Sequence, residues 1–191
     1  IEGGRIMTND MTKGNPLKIF IYFTIPLLIG NIFQQLYSMV DTIIVGRFVG
    51  VNALAALGAC NSLFFLVNGL VLGLTSGFAV LVAQKFGAKD EKGVKKAVAS
   101  NITLTIVLTV IITIVALLAV KPLLNMMNTP ENIYEDARVY ITLIYAGIIT
   151  QTGYNMAAGI LRALGDSKTP LYFLIVASIL NVILDLIFII N

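Results

Sequence analysis

The sequence is short of residues on which many metal sites and soluble enzymes depend. Its 191 residues include no histidine, no tryptophan and a single cysteine, Cys60. The absence of histidine excludes histidine metal ligands and histidine proton relays. One cysteine excludes an intramolecular disulfide. Without tryptophan, an aromatic belt at a membrane interface would have to be built from tyrosine.

Charge is also scarce, and apolar residues take its place. Charged residues make up 12% of the chain, about half the share of roughly 25% that is usual in soluble domains. Hydrophobic residues make up 58%, and the mean hydropathy is +0.91. A chain of this composition cannot cover itself with a charged surface, so the sequence predicts that its surroundings are a lipid bilayer.

Motifs for enzymatic chemistry and for nucleic-acid binding are missing. There is no Gly-x-Ser-x-Gly sequence, no Walker A loop and no His-Glu-x-x-His sequence. The net charge of +3 is small, and no basic stripe with interleaved aromatic residues is present. We therefore expect neither an enzyme nor a nucleic-acid partner, and no bound cofactor.

Five apolar stretches are long enough to cross a membrane, which takes about 20 residues. Short loops rich in glycine, proline, asparagine and aspartate separate them. The sequence thus predicts an all-α membrane protein with five transmembrane helices. Their approximate ranges are 17–46, 52–84, 94–120, 134–164 and 170–191.

The distribution of lysine and arginine predicts the orientation of these spans. The loop between spans two and three holds five lysines between positions 85 and 96. The N-terminus adds Lys13 and Lys18, and the loop between spans four and five adds Arg162 and Lys168. The other side mixes basic and acidic residues. Because basic loops stay in the cytoplasm, we expect a cytoplasmic N-terminus.

Both ends of the chain suggest further interpretations. The codons for Glu2-Gly3-Gly4 can contain a purine-rich bacterial ribosome-binding site upstream of Met7. Residues 1–6 would then be a translated leader, with the true start at Met7 or Met11, or else a tag scar. The chain stops at Asn191 within an apolar run, so we expect a fragment of a longer protein or a truncated gene product.

Span one carries a polar stripe. Asn31, Gln34, Ser38 and Asp41 follow one another at spacings of 3, 4 and 3, which places them on one helix face. Such a face borders a water-filled cavity or another helix. Pro26 precedes the stripe in mid-span, where proline removes a backbone hydrogen bond and bends the helix. The bend is either a static packing feature or a hinge.

Span five carries a second polar face with Ser178, Asn181 and Asp185. An aspartate at mid-membrane costs at least about 2.5–3.5 kcal/mol on insertion scales and marks a functional candidate. Asp41 and Asp185 both fall in the outer half of the bilayer. The two carboxylates would take up a proton or bind a cation. With the amide oxygen of Asn181 they supply the oxygen ligands that Na⁺ requires. The sequence does not choose between H⁺ and Na⁺.

Spans two and four add further polar residues. Asn68, Gln151 and Asn155 would line a substrate path or bond helix to helix. Span two also contains Gly69, Gly73 and Gly77, a spacing of small residues that predicts a close contact with a neighbouring helix.

Four sequence motifs, in order along the chain, resemble those of multidrug and toxic compound extrusion (MATE) transporters. The first two cover helix one and the start of helix two, the third lies between helices four and five, and the fourth lies in helix five. They comprise residues 26–31 and 34–42 (PLLIGN and QQLYSMVDT), 45–50 with 53–58 (VGRFVG and ALAALG), 159–170 (GILRALGDSKTP) and 181–189 (NVILDLIFI).

The resemblance implies a transporter of twelve helices in two six-helix lobes, located in the bacterial inner (plasma) membrane. It would export cationic or amphipathic drugs against H⁺ or Na⁺ entry. Asp41, Asn181 and Asp185 match the family positions of a cation site in the N-terminal lobe, and Tyr140 matches a helix-four tyrosine. Helix six and the C-terminal lobe are missing from this chain.

Two alternatives remain open. A lipid-linked oligosaccharide flippase of the same superfamily would need a cavity rich in arginine and lysine, and no basic residue lies well inside a predicted span. The chain could instead be a truncated fragment without transport activity.

Overall fold

The computed structural model describes residues 15–190, and all regular structure in that range is helical. Residues 1–6, Met7, Met11, Lys13 and Asn191, on which several sequence interpretations rest, lie outside it. Helix α1 ends in one turn of π-helix, Val45–Val49. The α-helices are α1 (Pro16–Ile44), α2 (Val51–Gly87), α3 (Glu91–Met126), α4 (Glu131–Ala146), α5 (Ile148–Ala163) and α6 (Lys168–Ile190).

Polar side chains fix where several helices begin. The Asn15 side chain accepts a hydrogen bond from the backbone N–H of Leu17, and Pro16 occupies the first helical position. Asp90 accepts from the N–H of Gly93 at 2.8 Å at the start of α3. Asp166 accepts from the N–H groups of Lys168 and Thr169 at the start of α6, both at 3.0 Å. These caps end the short loops that return the chain to the membrane.

Helices α2, α3, α4 and α5 form a bundle with a common apolar core. The core includes Cys60 and Leu63 of α2, Leu124 of α3, and Ile141 and Tyr145 of α4, all buried. The Tyr145 hydroxyl donates to the Leu63 carbonyl at 3.1 Å. The Cys60 thiol donates to the Ala137 carbonyl at 3.3 Å. From the first contact to the second, the residue numbers increase on both helices, from Cys60 to Leu63 on α2 and from Ala137 to Tyr145 on α4. Helices α2 and α4 therefore run parallel.

Helices α1 and α6 form a separate pair that packs on itself more than on the bundle. The two helices lie close together at Gly30, where an added Cβ would lie 3.3 Å from the Leu174 side chain. The pair joins the bundle at its two ends. The π-helical turn contacts α2 and α6, and the Tyr154 hydroxyl of α5 donates to the Pro170 carbonyl of α6 at 3.2 Å.

The all-helical fold is as the sequence predicts, with one difference in the fourth span. The structure divides it at Gly147 into α4 and α5, each of 16 residues. At 1.5 Å per residue, each piece spans only about 24 Å, short of the ~30 Å hydrocarbon core. Within the described range, four helical segments are individually long and apolar enough to cross: Pro16–Val49, Val51–Gly87, Glu91–Met126 and Lys168–Phe188.

The glycine spacing on α2 does not mark a helix contact within residues 15–190. A Cβ added at Gly69, Gly73 or Gly77 would meet no atom within 4 Å. The close approach in the bundle is made instead by Gly159 of α5, where a Cβ would lie 3.4 Å from the Ala79 Cβ of α2. A run of small residues creates a smooth face, but it does not specify which helix lies against it.

Candidate functional site

Two cavities lie between the α1–α6 pair and the α2–α5 bundle. The first, here called the amide cavity, has a volume of about 400 Å³. Its polar lining comes mainly from side-chain amides on α1, α2 and α5, and its apolar lining includes Phe64 and Phe65. The amide residues are Asn31, Gln34, Gln35, Asn61, Asn68, Gln151 and Asn155.

The predicted cavity-lining residues all lie on the amide cavity. Asn31, Gln34 and Ser38 of α1 face it, and so does the buried Pro26. On the bundle side of the cavity, the Gln151 amide nitrogen donates to the Asn68 side-chain oxygen at 2.8 Å, which ties α5 to α2. Asn68 and Gln151 therefore bond helix to helix and also line the cavity, while a substrate path along them stays a prediction.

The second cavity, here called the carboxylate cavity, has a volume of about 430 Å³. Asp41 of α1, Tyr140 of α4 and Asp185 of α6 line it. The polar stripe of α1 is therefore shared between two sites, because Asp41 lies about two turns beyond Gln34 and beside the π-helical turn. Val45 and Val49 of that turn line the carboxylate cavity as well.

The structure brings the two membrane aspartates together. The Asp41 and Asp185 carboxyl groups lie within hydrogen-bonding range of each other. One Asp41 carboxylate oxygen is buried and accepts no hydrogen bond. Two ionised carboxylates at this separation repel each other in a medium of low dielectric. A proton or a cation between them would remove that repulsion.

Asn181 differs from the other predicted cation-site residues because it does not line the carboxylate cavity. It lies one turn before Asp185 on α6, and it lines neither of the two cavities. Its side-chain oxygen is nevertheless buried and accepts no hydrogen bond. Two carboxylates with one amide oxygen are a donor set that suits a hard cation such as Na⁺. No cluster of three histidine, cysteine, aspartate or glutamate residues that could hold a metal ion occurs between residues 15 and 190.

Two charged residues of these cavities were missed in the sequence because they lie at helix ends. Asp136, on the first turns of α4, lines the carboxylate cavity with Asp41 and Asp185. Arg162, on the last turn of α5, lines the amide cavity. In the sequence, Arg162 belongs to the predicted loop between spans four and five and to a family motif, and no site role is predicted for Asp136. The available signal is helical spacing, since Asp136 is one turn from Tyr140 and Arg162 two turns from Asn155.

The sequence profile of the MatE family matches residues 26–187. This range covers α1 to α6 and both cavities. The chain belongs to the MatE family. This membership confirms the resemblance found in the motifs, and it places the chain in a family of transporters rather than enzymes.

A curated MatE relative and two solved structures show how far the similarity extends. The chain is 32% identical over 180 residues to the probable multidrug resistance protein YpnP of Bacillus subtilis (strain 168), covering 94% of this chain and 40% of YpnP. A MOP superfamily transporter from Pyrococcus furiosus matches with a TM-score of 0.90 and 31% identity, covering 98% of this chain and 41% of the transporter.

A multidrug resistance MATE family transporter solved in an outward-facing conformation gives the same values. Its TM-score is 0.90 at 31% identity, over 98% of this chain and 41% of that chain. The MatE chain described here therefore spans about 40% of the length of its relatives. The matched portion is the N-terminal lobe, which carries both cavities.

Proposed function

We propose that this chain is the N-terminal lobe of a secondary transporter that exports cationic or amphipathic drugs against the entry of H⁺ or Na⁺. The observation that carries the proposal is the Asp41–Asp185 pair in the carboxylate cavity. Membrane helices rarely hold facing carboxylates without a functional reason, since each charge is costly there. A transported cation supplies that reason.

The chemistry of the Asp41–Asp185 pair suits the reversible binding of a cation. Asp41 offers a buried oxygen without a hydrogen bond, and Asn181 offers a second one. A proton on one carboxyl group would let Asp41 and Asp185 share a hydrogen bond. A Na⁺ ion would instead be coordinated by oxygens of both carboxylates and of the Asn181 amide. Either cation leaves again when the geometry around the pair changes.

Helix α1 connects this cation site with the amide cavity, which we assign to the drug. Asn31 and Gln34 line the amide cavity and Asp41 lines the carboxylate cavity, all on one rigid element. A shift of α1 relative to the bundle would alter both sites together. Pro26, buried within α1, would be the hinge, because proline leaves the helix without one backbone hydrogen bond.

We further propose a cytoplasmic N-terminus in a bacterial plasma membrane. If successive spans alternate in direction, with α4 and α5 counted as one span, the α2–α3 loop with its lysines and the α5–α6 loop lie on the same side as the start of α1. The carboxylate cavity then opens toward the outside. The C-terminal lobe of the full protein would be the partner against which this lobe moves, as in other transporters built from repeats.

The test is drug export by the full-length protein in a drug-sensitive bacterium that lacks its own exporters. Ethidium efflux is measured with H⁺ and Na⁺ gradients imposed separately. We expect Asp41→Asn and Asp185→Asn to reduce efflux by about tenfold or more at normal membrane levels. Glu135→Gln is the matched control, because Glu135 is exposed, pairs with Arg138 and does not line the cavity.

The outcomes separate the open alternatives. Export that follows one gradient identifies the coupling ion. Wild-type export that persists in both aspartate variants would refute the cation site. If the wild-type protein exports no ethidium, the flippase and inactive-fragment hypotheses replace the drug-export proposal.

A further inference from the structure

The amide cavity has an unusual charge balance for a site that takes cationic drugs. Between residues 15 and 190, no aspartate or glutamate lines it. The one charged side chain that lines it in this range is Arg162, at the end of the cavity where α5 meets α6. Among the described residues, a ligand in this cavity thus meets one positive charge and neutral amides, and no carboxylate.

Arg162 retains hydrogen-bonding capacity toward the cavity. Its side chain is partly buried, and its Nε donates to the Ala158 carbonyl of the same helix at 3.1 Å. That bond orients the side chain along α5. It leaves the two terminal nitrogens of the guanidinium available to donate to a ligand. Across residues 15–190 the only ion pairs are Lys85–Asp90 and Arg138–Glu135. The guanidinium of Arg162 therefore has no carboxylate partner in the described part of the chain.

The acidic residue nearest in sequence is already occupied. Asp166 lies four residues after Arg162, and its Oδ1 accepts from the N–H groups of Lys168 and Thr169 at the start of α6. Asp166 does not line the amide cavity. It serves as the helix cap, so its carboxylate is directed toward the backbone of α6.

A second donor lies on the same face of α5. The amide nitrogen of Asn155 is buried and has no hydrogen-bond partner. Asn155 and Arg162 both line the cavity, and seven residues along a helix separate them by about 10 Å. The rings of Phe64 and Phe65 on α2 line the cavity as well. The cavity thus combines two separated donors, one of them charged, with an aromatic surface.

We propose that the amide cavity binds amphipathic molecules that carry an anionic group, a carboxylate, sulfonate or phosphate, with that group at Arg162. A second acceptor on the ligand bonds to the Asn155 amide, and the apolar body lies against Phe64 and Phe65. A planar guanidinium is suited to this because it binds such groups with two parallel hydrogen bonds. The inference rests on the proposed drug-binding role of the cavity and narrows its preferred ligands, among the cationic or amphipathic drugs of that proposal, to amphipathic molecules with an anionic group.

The test is the binding of three fluorescent probes that share one apolar body. Pyrenebutyrate is anionic, pyrenebutanol is neutral and pyrenebutylamine is cationic. Fluorescence anisotropy is measured with the full-length protein in phosphatidylcholine nanodiscs. We expect pyrenebutyrate to bind about tenfold more tightly than pyrenebutylamine, which is the range for a hydrogen bond to a charged group.

Variants assign the preference to one side chain. Arg162→Gln should weaken pyrenebutyrate binding by about tenfold and change pyrenebutanol binding by less than about twofold, which also shows that the variant is folded. Arg162→Lys should keep most of the preference for the anion. Arg47→Gln is the control, because Arg47 is exposed on the π-helical turn and does not line the cavity. Equal binding of the three probes, or an unchanged preference in Arg162→Gln, would overturn the proposal.

Two competition experiments identify the source of the anionic group. Nanodiscs containing phosphatidylglycerol should compete with pyrenebutyrate if a lipid headgroup occupies the site, and this competition should vanish in Arg162→Gln. Inorganic phosphate that competes as well as pyrenebutyrate at equal concentration would refute the requirement for an apolar body. Ethidium export by the wild-type protein is followed in parallel. Intact ion-coupled export without anion preference would refute the anion site and leave the proposed function standing.

Discussion

The α2–α5 bundle and the α1–α6 pair differ in how much of their surface they bury within the chain. The apolar core consists entirely of bundle residues. Tyr145 of α4 is 1% exposed, whereas Tyr172 of α6 is 64% exposed. Helix α1 buries only Pro26, Gly30 and Ile44. The same apolar composition therefore produces a packed unit in one place and a lightly attached pair of helices in another.

This difference is informative because both cavities lie between the two regions. The bundle supplies one fixed wall, including Asn68, Gln151 and Tyr140, and the pair supplies the other. Few contacts hold the pair to the bundle apart from the π-helical turn and the α5–α6 junction. A movement of the pair would change the shape of both cavities at little cost in buried core. Three perturbations test this division, beginning with the largest.

Removing the Tyr145 side chain should cause the greatest loss of stability. Tyr145 is fully buried in the bundle and donates a hydrogen bond to the Leu63 carbonyl. We expect Tyr145→Ala to lower the free energy of unfolding by about 3–5 kcal/mol, as for other buried aromatic residues. Tyr172→Ala is the control in the pair, with an expected change below about 0.5 kcal/mol. Circular dichroism during unfolding in mixed detergent micelles measures both. Equal effects would show that the pair is packed as firmly as the bundle.

Enlarging Gly30 should separate α1 from α6 at a moderate cost. A Cβ there already lies 3.3 Å from the Leu174 side chain and 3.5 Å from Leu171. We expect Gly30→Leu to cost about 1–3 kcal/mol from overpacking, and Gly30→Ala less, because the Leu174 side chain can move. Gly58→Leu provides the control, since a Cβ at Gly58 meets no atom within 4 Å. The same unfolding measurement applies. A Gly58→Leu effect as large as that of Gly30→Leu would contradict the close α1–α6 contact.

The smallest effect is expected at the junction of the two regions. Burial alone would raise the pKa of Asp166, but hydrogen bonds from Thr169 and Lys168, with the charge of Lys168, hold that pKa below its usual value. Ionised Asp166 therefore stabilises the start of α6. Replacing it in Asp166→Ala should cost about 1 kcal/mol, as for other helix caps.

The pH dependence of this contribution follows from the sign of the shift. Because the folded-state pKa is lowered, the stabilising charge is fully present above the unfolded value of about 3.9 and is lost as the pH falls through the folded value. The difference in unfolding free energy between wild type and Asp166→Ala should thus be constant near neutral pH and shrink in acid. A difference that grew as the pH fell would contradict the depressed pKa.

Individual residues show why some of the site was predictable from the sequence and some was not. Asp41 and Asp185 were identified because a charge inside an apolar run is costly wherever the helix packs. Asn31, Gln34 and Ser38 were identified because helical spacing places them on one face. Asp136 and Arg162 were missed, since a charge at a helix end is ordinary in sequence and only packing brings it to a cavity.

The same limit explains the glycines and the fourth span. Gly69, Gly73 and Gly77 form a regular pattern but contact nothing in the described chain, while the isolated Gly30 and Gly159 lie at the close approaches. Gly147 separates α4 from α5 within a continuous apolar stretch, although its backbone stays near the right-handed helical region (φ −80°, ψ −6°) and its N–H donates to the carbonyls of Leu143 and Ile144. Hydropathy cannot show such an interruption, because the residues on both sides of Gly147 are apolar.

The sequence by itself determined the environment, the helical class and the residues that carry charge within the membrane. These follow from local energetics: apolar side chains favour lipid, and a backbone in lipid must satisfy its hydrogen bonds within helices. The tertiary structure alone decided which polar faces meet. It divided one stripe on α1 between two cavities, and it brought Asp41 to the same cavity as Asp185 and Arg162 to the same cavity as Phe64 and Phe65 of α2. Those juxtapositions depend on side-chain packing between helices distant in sequence, where many alternative contacts have similar energies.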